Sequence, residues 1–263
     1  MFRVLIFSIS FMALSAFADQ SFKAVSSSDL DTLTKEFSSN FSHPSVMGAA
    51  TLGKIFGLEL ALVAGQNPSP GLDKIVKASD PTQSLPNLYH AGLLLAVSVP
   101  LGFTGEVVYT PKVGSNGLEL KGQSMALKYT LNESLIVIPF NLAFRYFISN
   151  YTVSFPQATA TATGTVENKN NVSGLQILVS PSLPMVEPYA GIGFLQAKDT
   201  LSFNGTGTIF GVSYPGSSSQ DATASTTQFL LGVNAHLLLF SLGLEYASAF
   251  DSSRYTAKLG FVF

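Results

Sequence analysis

The chain has 263 residues and a formal net charge of −2, with only 11% charged and 46% hydrophobic residues. An ordinary globular domain has about 25% charged residues, so water cannot be the only medium that covers this surface. The small net charge excludes a polybasic surface for nucleic acid or anionic lipid, and the absence of cysteine excludes disulfides and thiolate metal sites.

The first 18 residues have the pattern of a secretory signal peptide. Arg3 supplies a positive charge, residues 4–17 are mostly apolar, and Ala16-Phe17-Ala18 is a small-x-small cleavage site before Asp19. The apolar run is too short and too rich in serine for a membrane helix. We predict that residues 1–18 are removed on export and that the mature chain begins near Asp19.

Residues 19–47 are predicted to form a separate segment that contains an amphipathic helix. Ser28 can cap this helix, and Pro44 stops whatever follows it. Between them, apolar residues recur at i, i+3, i+7 and i+11, which is the spacing of one helical stripe. The stripe consists of Leu30, Leu33, Phe37 and Phe41.

Residues 48–263 alternate between apolar and polar side chains in short runs separated by turn residues. A period of two with charges on one face is typical of strands whose other face meets lipid. Outside the signal no uninterrupted apolar run reaches about 18 residues, so spanning helices are disfavoured, and a membrane-exposed chain must then close into a barrel. We predict an all-β fold, a transmembrane antiparallel β-barrel with strands near 54–65, 88–99, 102–112, 119–131, 135–154, 169–181, 186–203, 224–236, 239–249 and 254–263.

The predicted connections alternate in length, as expected of a membrane barrel with short turns at one end and longer loops at the other. The N-terminus of the barrel then lies at the end that carries the short turns. The short connections are 100–101, 131–134, 181–188 and 237–239, and the long ones are 65–87, 154–168 and 204–223.

The inward faces of the predicted strands carry most of the polar and charged candidates for a lumen lining. A mutually paired network would satisfy such buried charges, and a weakly selective pore lining is the functional alternative. A barrel of about eight strands is filled by side chains or holds one small ligand, so ten strands is close to the closed limit. The candidates are Glu59, His90, Glu106, Lys128, Arg145, Glu245, Arg254 and Lys258.

The last strand places Tyr255, Leu259, Phe261 and Phe263 on one apolar face. Together with the signal peptide and the alternating strands, this ending resembles the assembly signal of Gram-negative outer-membrane β-barrel proteins. The resemblance implies a location in the bacterial outer membrane and contact with its lipid. It also implies insertion by the barrel assembly machinery, which reads the terminal aromatic residue.

Two positions are open to the N-terminal helix of such a barrel. It can pack under the periplasmic rim, or it can enter the lumen as a plug, where its stripe would meet apolar inward residues. The second position resembles that of the N-terminal hatch of long-chain fatty-acid transporters, and this analogy is one of position.

Residues that could support catalysis are sparse in this chain. A serine-based lipase needs a serine beside a histidine, with a third group that orients the ring. His43 precedes the barrel, His90 and His236 fall at opposite ends of their strands, and no G-x-S-x-G motif occurs. No cluster of His, Asp or Glu has metal-ligand spacing. We predict no catalytic residue, no metal site and no cofactor.

The function that these features favour is a narrow conduit for small or apolar solutes in the outer membrane. A structural or surface-exposed outer-membrane protein with a filled lumen is the alternative. An enzyme that acts on lipids is the third and least favoured hypothesis.

Overall fold

The computed structural model describes residues 27–53, 55–79, 81–82, 84–115, 118–131, 140–159, 162–183, 185–209 and 212–263. The predicted signal peptide lies outside the described residues. Ten antiparallel strands pair in sequence order, and the first pairs with the last to close a barrel. The strands are β1 Gly57–Pro68, β2 Asn87–Val99, β3 Phe103–Ser115, β4 Leu118–Thr130, β5 Phe140–Thr159, β6 Ala162–Pro181, β7 Val186–Ile209, β8 Val212–Leu237, β9 Phe240–Ala249 and β10 Ser252–Val262.

Within the described residues, two α-helices accompany the strands. α1 spans Ser27–Phe41 ahead of β1, and α2 spans Pro70–Ser79 in the connection between β1 and β2. A short 3-10 turn, Pro100–Gly102, joins β2 to β3. The predicted fold class, an antiparallel barrel of ten strands with an N-terminal helix, is confirmed.

Strand faces alternate as the sequence pattern predicts. Along β1 the buried Glu59 and Ala61 alternate with Leu60 and Leu62, which are exposed on the outside of the barrel. Large apolar side chains are exposed in the same way on β2, β5, β7 and β10. Such an outward apolar band is the lipid-facing surface of a membrane-spanning barrel, because exposing so much apolar surface to water would be energetically unfavourable.

The strands β5 to β8 are much longer than the others. β5 and β6 have 20 residues each, β7 has 24 and β8 has 26, whereas β1 has 12 and β9 has 10. The predicted loops 154–168 and 204–223 are therefore mostly strand. Their Ser- and Thr-rich sequences have the composition of loops. The two strands of each hairpin nevertheless pair along these residues, so their backbone N–H and C=O groups are hydrogen-bonded as in any β-sheet. The predicted start of β5 at 135 lies outside the described residues.

Most of the described chain that precedes β1 is buried inside the barrel, whereas Ile55 and Phe56, just before β1, are exposed. Residues 42–53, here called the lumen segment, run from α1 to the start of β1. Ser39 in α1 hydrogen-bonds Asn67 near the end of β1, whereas Leu52 hydrogen-bonds Ser98 near the end of β2. The lumen segment therefore passes from the α2 end of the barrel to the opposite end, here called the Phe263 end.

β1 begins only at Gly57, so residues 48–53, which the sequence analysis placed in the barrel domain, belong to the lumen segment.

Candidate functional site: the charged barrel lumen

All eight predicted lumen residues lie on the inward face of the wall and are buried. The structure adds Glu187, near the start of β7, which the sequence analysis did not select. Its position two residues before the inward-facing Tyr189 could have identified it, because inward positions recur with a period of two. Around the lumen segment there are then four carboxylates and four cations, namely Glu59, Glu106, Glu187, Glu245, Lys128, Arg145, Arg254 and Lys258.

Three ion pairs join wall residues to each other. Nitrogen–oxygen distances are 3.4 Å between Arg145 and Glu106, 3.1 Å between Arg254 and Glu245, and 2.8 Å between Lys258 and Glu59. Burial makes each charge costly by itself, so a partner within the same wall reduces the cost of keeping it there. The wall is thus largely neutralised by its own residues.

The two arginines also bind the lumen segment. Arg254 donates from Nη1 to the carbonyl oxygen of Ser42 and, at 2.7 Å, to Ser42 Oγ. Arg145 donates to Ser45 Oγ at 2.6 Å and to the carbonyl oxygen of Met47 at 3.1 Å. Backbone carbonyls that lack a strand or helix partner are satisfied in this way.

Lys128 and Glu187 hold the next part of the lumen segment from two sides. Lys128 Nζ donates to the carbonyl oxygens of Gly48 and Ala50 at 2.7 and 2.8 Å. The Ala50 N–H donates to Glu187 at 2.8 Å. A methyl group on Gly48 would come within 2.3 Å of the Glu187 carboxylate, so a larger residue there would require the Glu187 side chain to shift.

His43 joins a serine and a glutamate inside the barrel. Its Nδ1 lies 2.7 Å from Ser124 Oγ, and its Nε2 lies 2.8 Å from Glu106. His43 precedes the barrel strands in sequence, and the chain before β1 folds back so that this side chain lies in the lumen. The three groups are of the types found in a hydrolytic triad, but the two ring nitrogens have exchanged roles and Ser124 is 0% exposed. The arrangement therefore cross-links β3, β4 and the lumen segment.

The predicted helical stripe of α1 is covered within the barrel. Leu30 and Leu33 belong to a buried apolar cluster with residues of α2, β6 and β7. Phe37 stacks on Phe41 with ring centroids 5.8 Å apart, and Phe41 stacks on Tyr151 of β5 at 4.6 Å. The stripe therefore faces the lumen wall and α2.

Polar contacts fix α1 at the α2 end. Glu36 accepts hydrogen bonds from the N–H groups of Gly71 and Leu72 at 2.7 and 2.8 Å, at the start of α2. Burial raises the pKa of Glu36 above its ordinary value, and these two hydrogen bonds oppose the shift. The amide oxygen of Asn40 lies 3.0 Å from Nδ1 of His90, one of the predicted lumen residues.

The four C-terminal residues singled out by the sequence lie outside the lumen. Tyr255, Leu259 and Phe261 face outward on β10, and Phe263 is also exposed. The N–H and carbonyl groups of Phe263 pair with those of Leu58 at 2.8 and 2.9 Å. This terminus therefore completes the seam between β10 and β1 that closes the barrel.

Two kinds of feature are absent from the described ranges. No group of three or more His, Cys, Asp or Glu side chains there is arranged to hold a metal ion. None of the helices in those ranges has the length and apolar character of a membrane span.

Comparison with solved structures gives similarities of shape to bacterial outer-membrane proteins. The translocator domain of the autotransporter NalP from Neisseria meningitidis is 10% identical, with a TM-score of 0.46 over 80% of this chain and 89% of that chain. A FadL homologue of Pseudomonas aeruginosa is 10% identical, with a TM-score of 0.42 over 87% of this chain and 69% of that chain. Ail of Yersinia pestis is 12% identical, with a TM-score of 0.29 over 80% and 99%.

At such identities these similarities carry no argument about function. No curated protein matches the sequence. A family model does, over residues 3–263, and the chain belongs to that family, which is described as a family of unknown function, DUF6588.

Proposed function

We propose that this protein is a bacterial outer-membrane β-barrel that forms a narrow conduit for small or apolar solutes and is closed at rest by its own residues 27–53. The observation that carries the proposal is the distribution of charge in the lumen. Three of the four wall carboxylates around the lumen segment have a cation in the wall, across β3–β5, β9–β10 and β1–β10, and the lumen segment contains no Asp, Glu, Lys or Arg.

With this distribution, three wall carboxylates keep their cations when the lumen segment leaves, whereas Lys128 and Glu187 would exchange their hydrogen bonds to the segment for water. The contacts of the segment with Arg145, Arg254 and Lys128 are hydrogen bonds to backbone carbonyls and serine hydroxyls. Water can replace such bonds at a net cost of about 0.5–1.5 kcal/mol each, or up to about 3 kcal/mol where a charge is involved. A plug that carried counter-charges for the wall would be far harder to displace.

Placement in the outer membrane is supported by the chain's own surface and ends. The outward apolar band, the even number of antiparallel strands and the exposed aromatic residues of β10 are features of single-chain bacterial barrels. The N-terminal signal pattern supports export. We propose that β10, through Phe263, engages the barrel assembly machinery and that the apolar band contacts outer-membrane lipid.

A structural barrel with a permanently filled lumen is the second candidate. The number of buried hydrogen bonds between the wall and the lumen segment favours it, since breaking all of them together would cost several kcal/mol. A lipid-acting enzyme has less support, because Ser124 and Glu106 are buried between the wall and the lumen segment.

A reversible disulfide can separate the first two candidates, because the chain has no native cysteine. Ser39 Oγ in α1 lies 3.0 Å from Asn67 Oδ1 in β1, and both side chains are short. The double variant S39C/N67C should show voltage-induced single-channel openings in planar bilayers when reduced and none when oxidised, because the bond tethers α1 to the wall. The two single-cysteine variants are the matched controls and should open under both conditions.

Phe37→Asp should increase the opening frequency of the untethered protein, because an unpaired carboxylate at this partly buried apolar contact would destabilise the packed position of α1. Near-zero conductance in the reduced double variant, in Phe37→Asp and in the intact protein alike would rule out the conduit and leave the filled structural barrel.

A further inference from the structure

The chain ahead of β1 makes a single passage through the lumen, antiparallel to β5. As this chain proceeds, its neighbours on β5 come from progressively earlier positions of the strand. The successive pairs of neighbours are Phe41 and Tyr151, His43 and Phe147, Ser45 and Arg145, and Ala49 and Ala143. A strand needs about 9–11 residues to cross a membrane, so the stretch 143–151 of β5 marks a nearly complete crossing.

The burial of this chain is that of a passage with two separate openings. Ser28 and Asp31 of α1 are exposed, residues 38–49 are buried without interruption, and residues 50–53 are partly exposed again. A plug that entered and left the lumen at one end would bring both of its exposed parts to the same face of the barrel. Here they lie at opposite ends, the first at the α2 end and the second at the Phe263 end.

The start of α1 stands at the rim of the barrel at the α2 end. Lys35 Nζ lies 3.7 Å from the Asp251 carboxylate, in the turn between β9 and β10 that forms part of this rim. Ser28 precedes Lys35 by two helical turns, or about 10 Å along the helix axis. Leu30 and Leu33 pack against α2 and the longer strands β6 and β7. The first turns of α1 are therefore supported on one side and open to solution on the other.

We propose that the protein displays the N-terminal side of its chain at the cell surface, so that the start of α1, with whatever the mature chain carries ahead of it, lies outside the cell. This inference rests on the proposed placement in the outer membrane, where short turns face the periplasm and long connections face outward. The α2 end carries the connection 69–86 and the long β5–β6 and β7–β8 hairpins, so it is the outer end. A segment attached ahead of α1 is then delivered across the membrane inside the barrel.

The test is the side of the membrane from which single cysteines react, because the chain has no native cysteine. A polymer-linked maleimide that is too large to pass the outer membrane would be added to intact cells and to cells with a permeabilised outer membrane. Ser28→Cys and Asp31→Cys report the start of α1. Lys74→Cys in α2 and Ser182→Cys between β6 and β7 are controls at exposed positions of the α2 end and the Phe263 end.

A short epitope inserted directly ahead of Ser27 tests whether an attached segment is delivered as well. An antibody against the epitope should stain intact cells as strongly as permeabilised cells. Staining confined to permeabilised cells would overturn the display of the N-terminal side.

We expect both α1 variants and Lys74→Cys to react in intact cells, and Ser182→Cys to react severalfold less until the outer membrane is permeabilised. All four should react in folded protein in detergent, so a difference in cells reports the side of the membrane and not burial. Protection of the α1 variants in intact cells while Lys74→Cys reacts would overturn the display and leave the outer-membrane placement standing. Protection of Lys74→Cys in intact cells would overturn that placement, and the display with it.

Discussion

Glu36 couples the two helices through hydrogen bonds to the start of α2. Replacing it with alanine should lower the free energy of unfolding by about 0.5–2 kcal/mol, the usual cost of losing an N-terminal cap. Because burial raises the pKa of Glu36, the folded protein holds this proton more tightly than the unfolded chain does. The free energy of unfolding lost in Glu36→Ala should therefore be largest below the ordinary pKa of 4.5. It should become smaller as the pH rises through the raised pKa of Glu36 in the folded protein.

Urea unfolding of the native protein and of Glu36→Ala between pH 4 and 7 measures this difference. Asp31→Ala is the control on the same helix, where an exposed pair with Lys35 contributes about 0–1 kcal/mol. A difference that widens with rising pH would show that the ionised carboxylate is the stabilising form.

At the level of single residues, the sequence predicts which side chains face inward but not what they contact. Alternation with a period of two identifies Glu106 and Arg145 as inward residues. Their contact requires the register of β3, β4 and β5, which a local pattern does not contain. The contact of His43 with Ser124 spans 81 positions of sequence, and it depends on the chain before β1 folding back into the lumen.

β10 is the element whose end closes the barrel seam. Phe263→Asp should reduce the amount of folded barrel in the outer membrane of cells severalfold, because we propose that the assembly machinery reads the terminal aromatic residue. The same variant should refold in detergent with a loss of only about 0–1 kcal/mol, since a charge near the membrane interface costs little. Heat-modifiability of membrane fractions and of refolded protein measures the two quantities separately.

Phe240→Asp is the matched control for a charge at this rim. Phe240 is exposed, is the cross-strand partner of Phe261 and lies 5.1 Å from its ring, but it is not on the terminal strand. Normal assembly of Phe263→Asp in cells, or an equal defect in both variants, would contradict a specific role for the C-terminus.

At the level of helices and strands, a local sequence pattern is enough to predict α1 but not the lengths of β5 to β8. The stripe predicts a helix because its period can be read directly from the sequence, and α1, Ser27–Phe41, contains the whole stripe. The predicted strand bounds of the β5–β6 and β7–β8 hairpins are too short, and their Ser-, Thr- and Ala-rich connecting segments left strand extensions and mobile outer loops as alternatives. Only the pairing across each hairpin distinguishes the two.

For the whole molecule, the prediction is an exported, membrane-inserted barrel. The mature protein should begin near Asp19, fractionate with the outer membrane, and migrate differently on gels before and after boiling, because a closed barrel resists detergent until heated. N-terminal sequencing and fractionation provide the measurements, with a known periplasmic protein as the control. Recovery as a soluble periplasmic protein would contradict the membrane assignment.

The fold class could be predicted because it depends on composition and a repeated local pattern, to which all ten strands contribute. How the lumen is filled could not be predicted, since both positions of the N-terminal helix satisfy the same stripe. The deciding contacts, such as those of Lys128 with Gly48 and Ala50, join groups about 80 positions apart in sequence.

Because the strands differ in length, the barrel is taller on the side of β5 to β8 than on the side formed by the shorter strands. A strand needs about 9–11 residues to cross a membrane, which β9 with 10 residues and β10 with 11 just meet, whereas β8 has 26. The sheet of β5 to β8 therefore extends beyond the bilayer on one side of the barrel only, so the rim of the barrel is uneven in height. A molecule that reaches α2 and the mouth of the barrel from solution approaches over the shorter strands. Access to this protein is therefore directional within the plane of the membrane.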